Sequence, residues 1–189
     1  MEQKIKQLIG DSITVKTAML DKNTAAIKTI AEQIIKCYRN KNKVVIFGNG
    51  GSAADAQHFA GEMACRFEKE RPGLPCIAFT TDTSIMTAIG NDYSFDRIFS
   101  RQVESIVNPG DIVIGISTSG NSKNVIEGLI QAKKQNAVTI GFTNETGGKM
   151  KQYCDYCLCI PSKITARVQE GHGIVIHILC SLIEQEVFK

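Results

Sequence analysis

From Lys43 onward the chain repeats one pattern: a short β-branched run, a turn rich in Gly, Ser or Asn, and a segment long enough to be a helix. Residues 44–47 run into Gly48-Asn49-Gly50-Gly51-Ser52 and a helix to about Arg66. Ile112–Ile116 leaves through Ser117-Thr118-Ser119-Gly120-Asn121-Ser122 into another. Residues 76–79, 138–142 and Tyr156–Ile160 supply three more strands. Short helices are expected at 84–89 and 95–107, and a long one over Thr165–Val187. Strands separated by helices cannot pair as hairpins, so they lie parallel and each connection crosses a face of the sheet. The pattern predicts an α/β, three-layer, doubly wound sandwich with a five-stranded parallel sheet of flavodoxin-like type, whose ligand sits at the carboxyl ends of the strands.

The first forty residues have a different texture. Ile5, Leu8, Ile9 and Ile13 mark one helical face and Ile27, Ile30, Ala31, Ile34 and Tyr38 a second, with the break at residues 21–24. The length of 189 residues suits one domain, 1–189, with no linker or repeat inside it.

Composition removes several function classes. Lys plus Arg number 22 against 19 Asp plus Glu, a net charge of +3. No basic stripe forms and there is no Trp for base stacking, so a nucleic-acid partner is not expected. No apolar stretch approaches the roughly 18 residues of a membrane span, and the N-terminal MEQKIKQLIGDS is too polar for a signal peptide, so a cytoplasmic protein without a membrane role is expected. The seven cysteines are odd in number and scattered, which reads as free thiols in a reducing compartment. Cys154-x-x-Cys157 has no second pair at zinc-ribbon spacing and is read as strand packing.

The two strand-to-helix turns carry the first chemical signal. Glycine lets backbone N–H groups approach an anion, and the helix that follows adds a favourable field, so two such loops at matching positions point to a phosphate. Gly48 to Ala53 also matches the GxGxxA form of a dinucleotide loop. The acidic residue such a fold needs after its second strand is missing, because Phe79 is followed by Thr80 and Thr81 before Asp82.

A second signal lies on the helices. His58 and Glu62 are four residues apart, hence on one helical face, at a spacing that suits metal ligation or acid–base work but also an ordinary surface pair. The other two histidines, His172 and His177, stand on the last helix with Gln169 and Glu170. Gln169 and His177 are eight residues apart, roughly 12 Å on a regular helix, so they cannot easily share one ion. Either the helix is irregular near Gly171 and Gly173, or neighbouring subunits complete the site.

With these residues in hand, the sequence resembles the phosphoheptose isomerases of the sugar-isomerase (SIS) domain family. The resemblance covers nearly the whole chain and is carried by GNGGSAADAQHFAGE at 48–62, RPGLPCIAFTTDTS at 71–84, IGNDYSF at 89–95, GISTSGNS at 115–122 and ARVQEGHGIVIH at 166–177. It implies a zinc ion held by His58, Glu62, Gln169 and His177. The sugar phosphate is implied to lie against Asn49, Gly50, Gly51, Ser52, Asn91, Asp92, Ser117, Thr118, Ser119 and Ser122, with Glu62 and Gln169 also touching it. A homotetramer with active sites at subunit contacts is implied too, the N-terminal helices serving assembly. Gly171 and Gly173 stand where the family usually carries larger residues, each costing roughly 1 kcal/mol of helix stability relative to Ala. Ala166 stands where some members have an aspartate, and it receives no role.

The implied reaction is aldose–ketose isomerisation of sedoheptulose 7-phosphate through an enediol, for heptose synthesis toward lipopolysaccharide or capsule. Two groups must move protons at C1 and C2, and Glu62 and His177 are the candidates. Glu62 must then alternate between coordination and proton transfer. Two other readings remain open: a non-catalytic SIS-domain protein that associates with the bacterial replication initiator, and a sugar-phosphate sensor without turnover. The initiator-binding relative has no need of a histidine at the place of His177, and its presence here favours the enzyme.

Overall fold

The computed structural model describes all residues 1–189. Two N-terminal helices, α1 (Glu2–Lys22) and α2 (Thr24–Arg39), precede β1 (Val44–Gly48) and α3 (Gly51–Ala64). β2 (Cys76–Ala78), α4 (Thr83–Asp92), a 3₁₀ turn at Phe95–Arg97 and α5 (Ile98–Ile106) follow. The chain continues through β3 (Ile112–Ile116), α6 (Lys123–Lys134), β4 (Val138–Asn144), a 3₁₀ turn at Lys149–Tyr153, β5 (Tyr156–Ile160) and α7 (Thr165–Val187). The strand order is β2-β1-β3-β4-β5, and every pairing is parallel. This is the expected doubly wound sheet.

β1 and β3 are buried along their whole length, as central strands covered on both faces must be. Their side chains alternate between two cores. Val44, Ile46, Ile112 and Ile114 pack with α2, α3 and α7, whereas Val45, Phe47 and Val113 pack with α5 and α6.

The order turns back between β1 and β3, because the chain goes outward from β1 to β2 and then returns to β1's other side. In open α/β sheets that reversal opens a crevice at the strand ends. The register sets Gly48, the last residue of β1, beside Ile116, the last of β3, so the two Gly/Ser loops leave the sheet side by side.

α7 runs unbroken through Gly171 and Gly173, so local irregularity does not bring Gln169 and His177 together. Gly171 has a packing reason instead. A Cβ there would lie 2.7 Å from Cγ2 of Ile160, so the helix could not sit this close to β5 with any larger residue. Gly173 has nothing within 4 Å of a built Cβ.

α1 is attached at few points. Only its Met19 is buried; Ser12 Oγ donates to Glu170 Oε2 at 2.6 Å and the Leu8 carbonyl accepts from Arg167. Ile5, Leu8, Ile9 and Ile13 remain exposed, with Leu8, Ile9 and Ile13 lining a shallow groove beside Arg167 and Glu170 of α7. No helix is long and apolar enough to cross a membrane. All seven cysteines are free, and burial pushes the Cys37 thiol up to about 11 and the Cys180 thiol to about 12.

Candidate active site

The first loop owes its shape to glycine. Gly50 has φ +57° and ψ −122°, a left-handed backbone that a side chain would strain, and α3 begins at the next residue. The Ser52 and Ala53 N–H groups close the turn onto the Asn49 and Gly50 carbonyls at 3.0 Å each, which leaves the N–H groups of Asn49, Gly50 and Gly51 to meet an anion at the helix start. Gly51 is needed for a different reason. A Cβ there would fall 2.0 Å from Nε2 and 2.8 Å from Oε1 of Gln169, so the amide end of that side chain abuts the loop and a larger residue would push it away.

The second loop gathers hydroxyl groups. Ser117 Oγ is 2.9 Å from Ser122 Oγ and 3.4 Å from Ser119 Oγ, beside the first turn of α6, with Thr118 half-buried among them. Gly120, at φ +67°, passes so close to the Gly147 carbonyl that a Cβ would sit 2.4 Å from it. Asn121 fastens the loop, its side-chain amide donating to Ser119 O and its Oδ1 accepting from the Lys149 N–H.

One residue that the sequence reading passed over joins the two loops. Asn49 and Asn124 exchange amide hydrogen bonds of 2.8 and 2.9 Å, and Asn124 is only 3% exposed. The available signal was positional: Asn124 shares the inward stripe of α6 with Gly128 and Ala132, where a polar side chain needs a reason.

The acid–base and metal candidates assemble at the middle of α3. His58 Nε2 is 3.2 Å from Glu62 Oε1 and 3.3 Å from His177 Nε2. The two imidazole rings meet edge to face at 4.9 Å, and the Phe67 ring tilts against His177 at 5.8 Å. All three polar side chains remain accessible, so a ligand can reach them. Asp55, one turn before His58 on α3, was also not singled out in sequence. Burial raises its carboxyl above the ordinary range while His58 pulls the other way, and its Oδ2 is buried without a partner.

Gln169 does not join this cluster in its own chain. It lies against Gly51, seven residues and roughly 10 Å before His58 along α3. His172 is a core residue: it is fully buried, Nε2 meets the Thr143 carbonyl at 3.3 Å, and burial lowers its pKa to about 4. Asn91 and Asp92, the last residues of α4, are exposed and bond each other at 2.9 Å, not to either loop.

The donors suit a divalent ion in kind. Two imidazole nitrogens and a carboxylate at 3.2 and 3.3 Å through His58 match the roughly 3.3 Å between neighbouring ligands on a tetrahedral zinc. In the single chain, however, no group of three or more His, Cys, Asp or Glu side chains is arranged so that it could hold a metal ion, and a zinc site would need a further ligand or a shift of these side chains.

A doubly wound domain with paired anion loops at its switch point and an accessible His-Glu-His cluster in the same chain is the framework of a protein that handles a phosphorylated small molecule. The SIS domain family model matches residues 9–144. A phosphoheptose isomerase of Trichlorobacter lovleyi is 56% identical over 188 residues, spanning 100% of this chain and 96% of that one. The solved structure of a phosphoheptose isomerase from Francisella tularensis superposes with a TM-score of 0.94 at 36% identity, covering 97% of each chain. That of the Neisseria gonorrhoeae phosphoheptose isomerase gives 0.92 at 41% identity, covering 97% of this chain and 98% of that one. The chain belongs to the SIS-domain family and, within it, to the phosphoheptose isomerases.

Proposed function

We propose that this protein converts sedoheptulose 7-phosphate into D-glycero-D-manno-heptose 7-phosphate, as the relatives' name implies, and that it does so as a homotetramer. The observation that carries the reading is that one chain presents both the cluster of His58, Glu62 and His177 and two phosphate-type loops, with α3 joining the first loop to the cluster. A module that only bound another protein would have no use for that cluster.

The backbone N–H groups of Asn49, Gly50 and Gly51 and the hydroxyls of Ser52, Ser117, Ser119 and Ser122 hold the phosphate, with Thr118 beside them. Binding energy collected at this unreactive end fixes the position of C1 and C2 at the other. One of Glu62 and His177 takes a proton from C1, giving the enediol, and the other delivers a proton to C2. O2 gains a proton as the enediol forms and O1 loses one as it collapses, so the C2 carbonyl becomes a hydroxyl and the C1 hydroxyl a carbonyl with no net change in protons. A zinc ion held by His58, Glu62, His177 and Gln169 would supply polarisation of the carbonyl and stabilisation of enediolate charge. Were Glu62 one of its ligands, the carboxylate would have to leave that role to act as the base.

Gln169 supports an arrangement in which subunits share the site. It rests on the phosphate loop of its own chain, so if it completes the cluster of a neighbour, that neighbour's Glu62 and His177 face the sugar held by this chain's loops. The accessible cluster and the exposed apolar face of α1 are the surfaces that such an assembly would bury. Heptose supply for lipopolysaccharide or capsule, in the cytoplasm, is the setting that fits this substrate.

The test is turnover of sedoheptulose 7-phosphate by the purified protein and by Glu62→Gln. We expect the wild type to form the aldose and the variant to lose at least a hundredfold in kcat. A variant that keeps appreciable turnover removes Glu62 from proton transfer.

A further inference from the structure

Glu184 is one of the most deeply buried charged residues of the chain, at 1% exposed, and it lies two turns beyond His177 on α7. Its carboxylate accepts the backbone N–H groups of Phe67, Glu68 and Lys69 at 3.1, 2.8 and 2.6 Å, and Arg71 Nε at 2.9 Å. Burial alone would raise this carboxyl, but the three N–H groups and the guanidinium outweigh it and hold it at about 2, fully ionised.

Arg71 carries the contact onward. Its Nη2 donates to the Glu62 carbonyl at 2.8 Å and its Nη1 to the Met63 carbonyl at 2.6 Å, among the last of α3. The carbonyls at a helix end lack partners within the helix, so a cation there both satisfies them and opposes the helix dipole. One buried ion pair thus grips the turn of α3 that bears Glu62 and the helix that bears His177.

The segment it folds has its own contact with the site. Phe67, whose N–H is bound by Glu184, turns its ring to within 5.8 Å of the His177 imidazole. None of these residues stands in the sequence blocks as an acid, base or ligand.

We propose that Arg71 and Glu184 are positioning residues for the isomerase, setting the separation of Glu62 and His177 and, through Phe67, the orientation of the His177 ring. The inference rests on the isomerase reading above, and His177→Ala separates the two. If His177→Ala retains turnover, the assignment of the acid–base groups fails; if it is inactive while the variants below are not, only the positioning role fails.

The experiment measures kcat and KM of the full-length protein and of Glu184→Gln, which keeps the shape and one acceptor oxygen but removes the charge opposite Arg71. Proton transfer depends on ångström-level placement, whereas the phosphate loops are remote from this pair, so kcat should fall about 10- to 100-fold with KM within about twofold. The Cε1–H resonance of His177 should shift in the same variant. A kcat within about twofold of wild type, or a loss confined to KM, would overturn the proposal. Should Glu184→Gln fail to fold, Phe67→Leu decides: it leaves every hydrogen bond of the pair intact, so a shifted His177 resonance with lower kcat upholds the proposal, and an unchanged resonance with unchanged kcat refutes it.

Discussion

His172 and His177 stand five residues apart on α7, and their surroundings give them opposite chemistry. His177 is accessible and meets His58; His172 is sealed against Phe142 and the Thr143 carbonyl. Because burial lowers the His172 pKa from 6.5 to about 4, the unfolded chain takes up a proton below pH 6.5 that the folded chain refuses. Its contribution to stability is therefore complete above pH 6.5 and declines as pH falls to 4, by up to about 3 kcal/mol. Denaturant titrations across that window should show the decline in wild type and a shallower one in His172→Phe; equal slopes would contradict the neutral buried state. Asn124 offers a second test at this scale. Asn124→Ala strands the Asn49 amide and frees the two loops from each other, so we expect a loss of about 1–3 kcal/mol in stability and a higher KM for sugar phosphate.

The elements were largely written in the sequence, and the reason is local. β-branched runs such as Ile112–Ile116 between Gly- and Ser-rich turns have few alternatives, and the structure returns that strand with the expected ends. The segment 95–107 was less legible: a 3₁₀ turn at Phe95–Arg97 precedes α5, a distinction that periodicity does not make. Pairwise contacts between distant elements were not legible at all. The contact of the Gln169 amide with Gly51, the Asn49–Asn124 exchange and the Arg71–Glu184 pair each depend on how α3, α6 and α7 settle on the sheet. α7 also gives a paired prediction. Gly171→Ala should destabilise by about 1–2 kcal/mol, because crowding against Ile160 exceeds the gain in helix propensity. Gly173→Ala, with open space around it in the chain, should be neutral or stabilising by up to about 1 kcal/mol. Thermal melts of the two variants that gave the same sign would contradict this account of the helix.

At the scale of the whole molecule, the sequence already posed the problem that eight residues separate Gln169 from His177, and an unbroken α7 removes a break in the helix as its answer, so the proposed sharing of the site between subunits is what needs testing. Two chains, one bearing Gln169→Ala and the other His177→Ala, should each be inactive alone. Co-expressed, they should regain part of the wild-type turnover, because one shared site then receives an intact ligand from each chain; no recovery would argue that every ligand comes from one chain. The exposed stripe of Ile5, Leu8, Ile9 and Ile13 gives α1 an apolar face for that assembly. The central claim, an isomerase built around His58, Glu62 and His177, is tested most directly by supplying sedoheptulose 7-phosphate to the wild-type protein and to His177→Ala, with and without added zinc. Zinc-dependent formation of the aldose by the wild type, abolished in the variant, is the predicted result; no conversion by the metal-loaded wild type would contradict it.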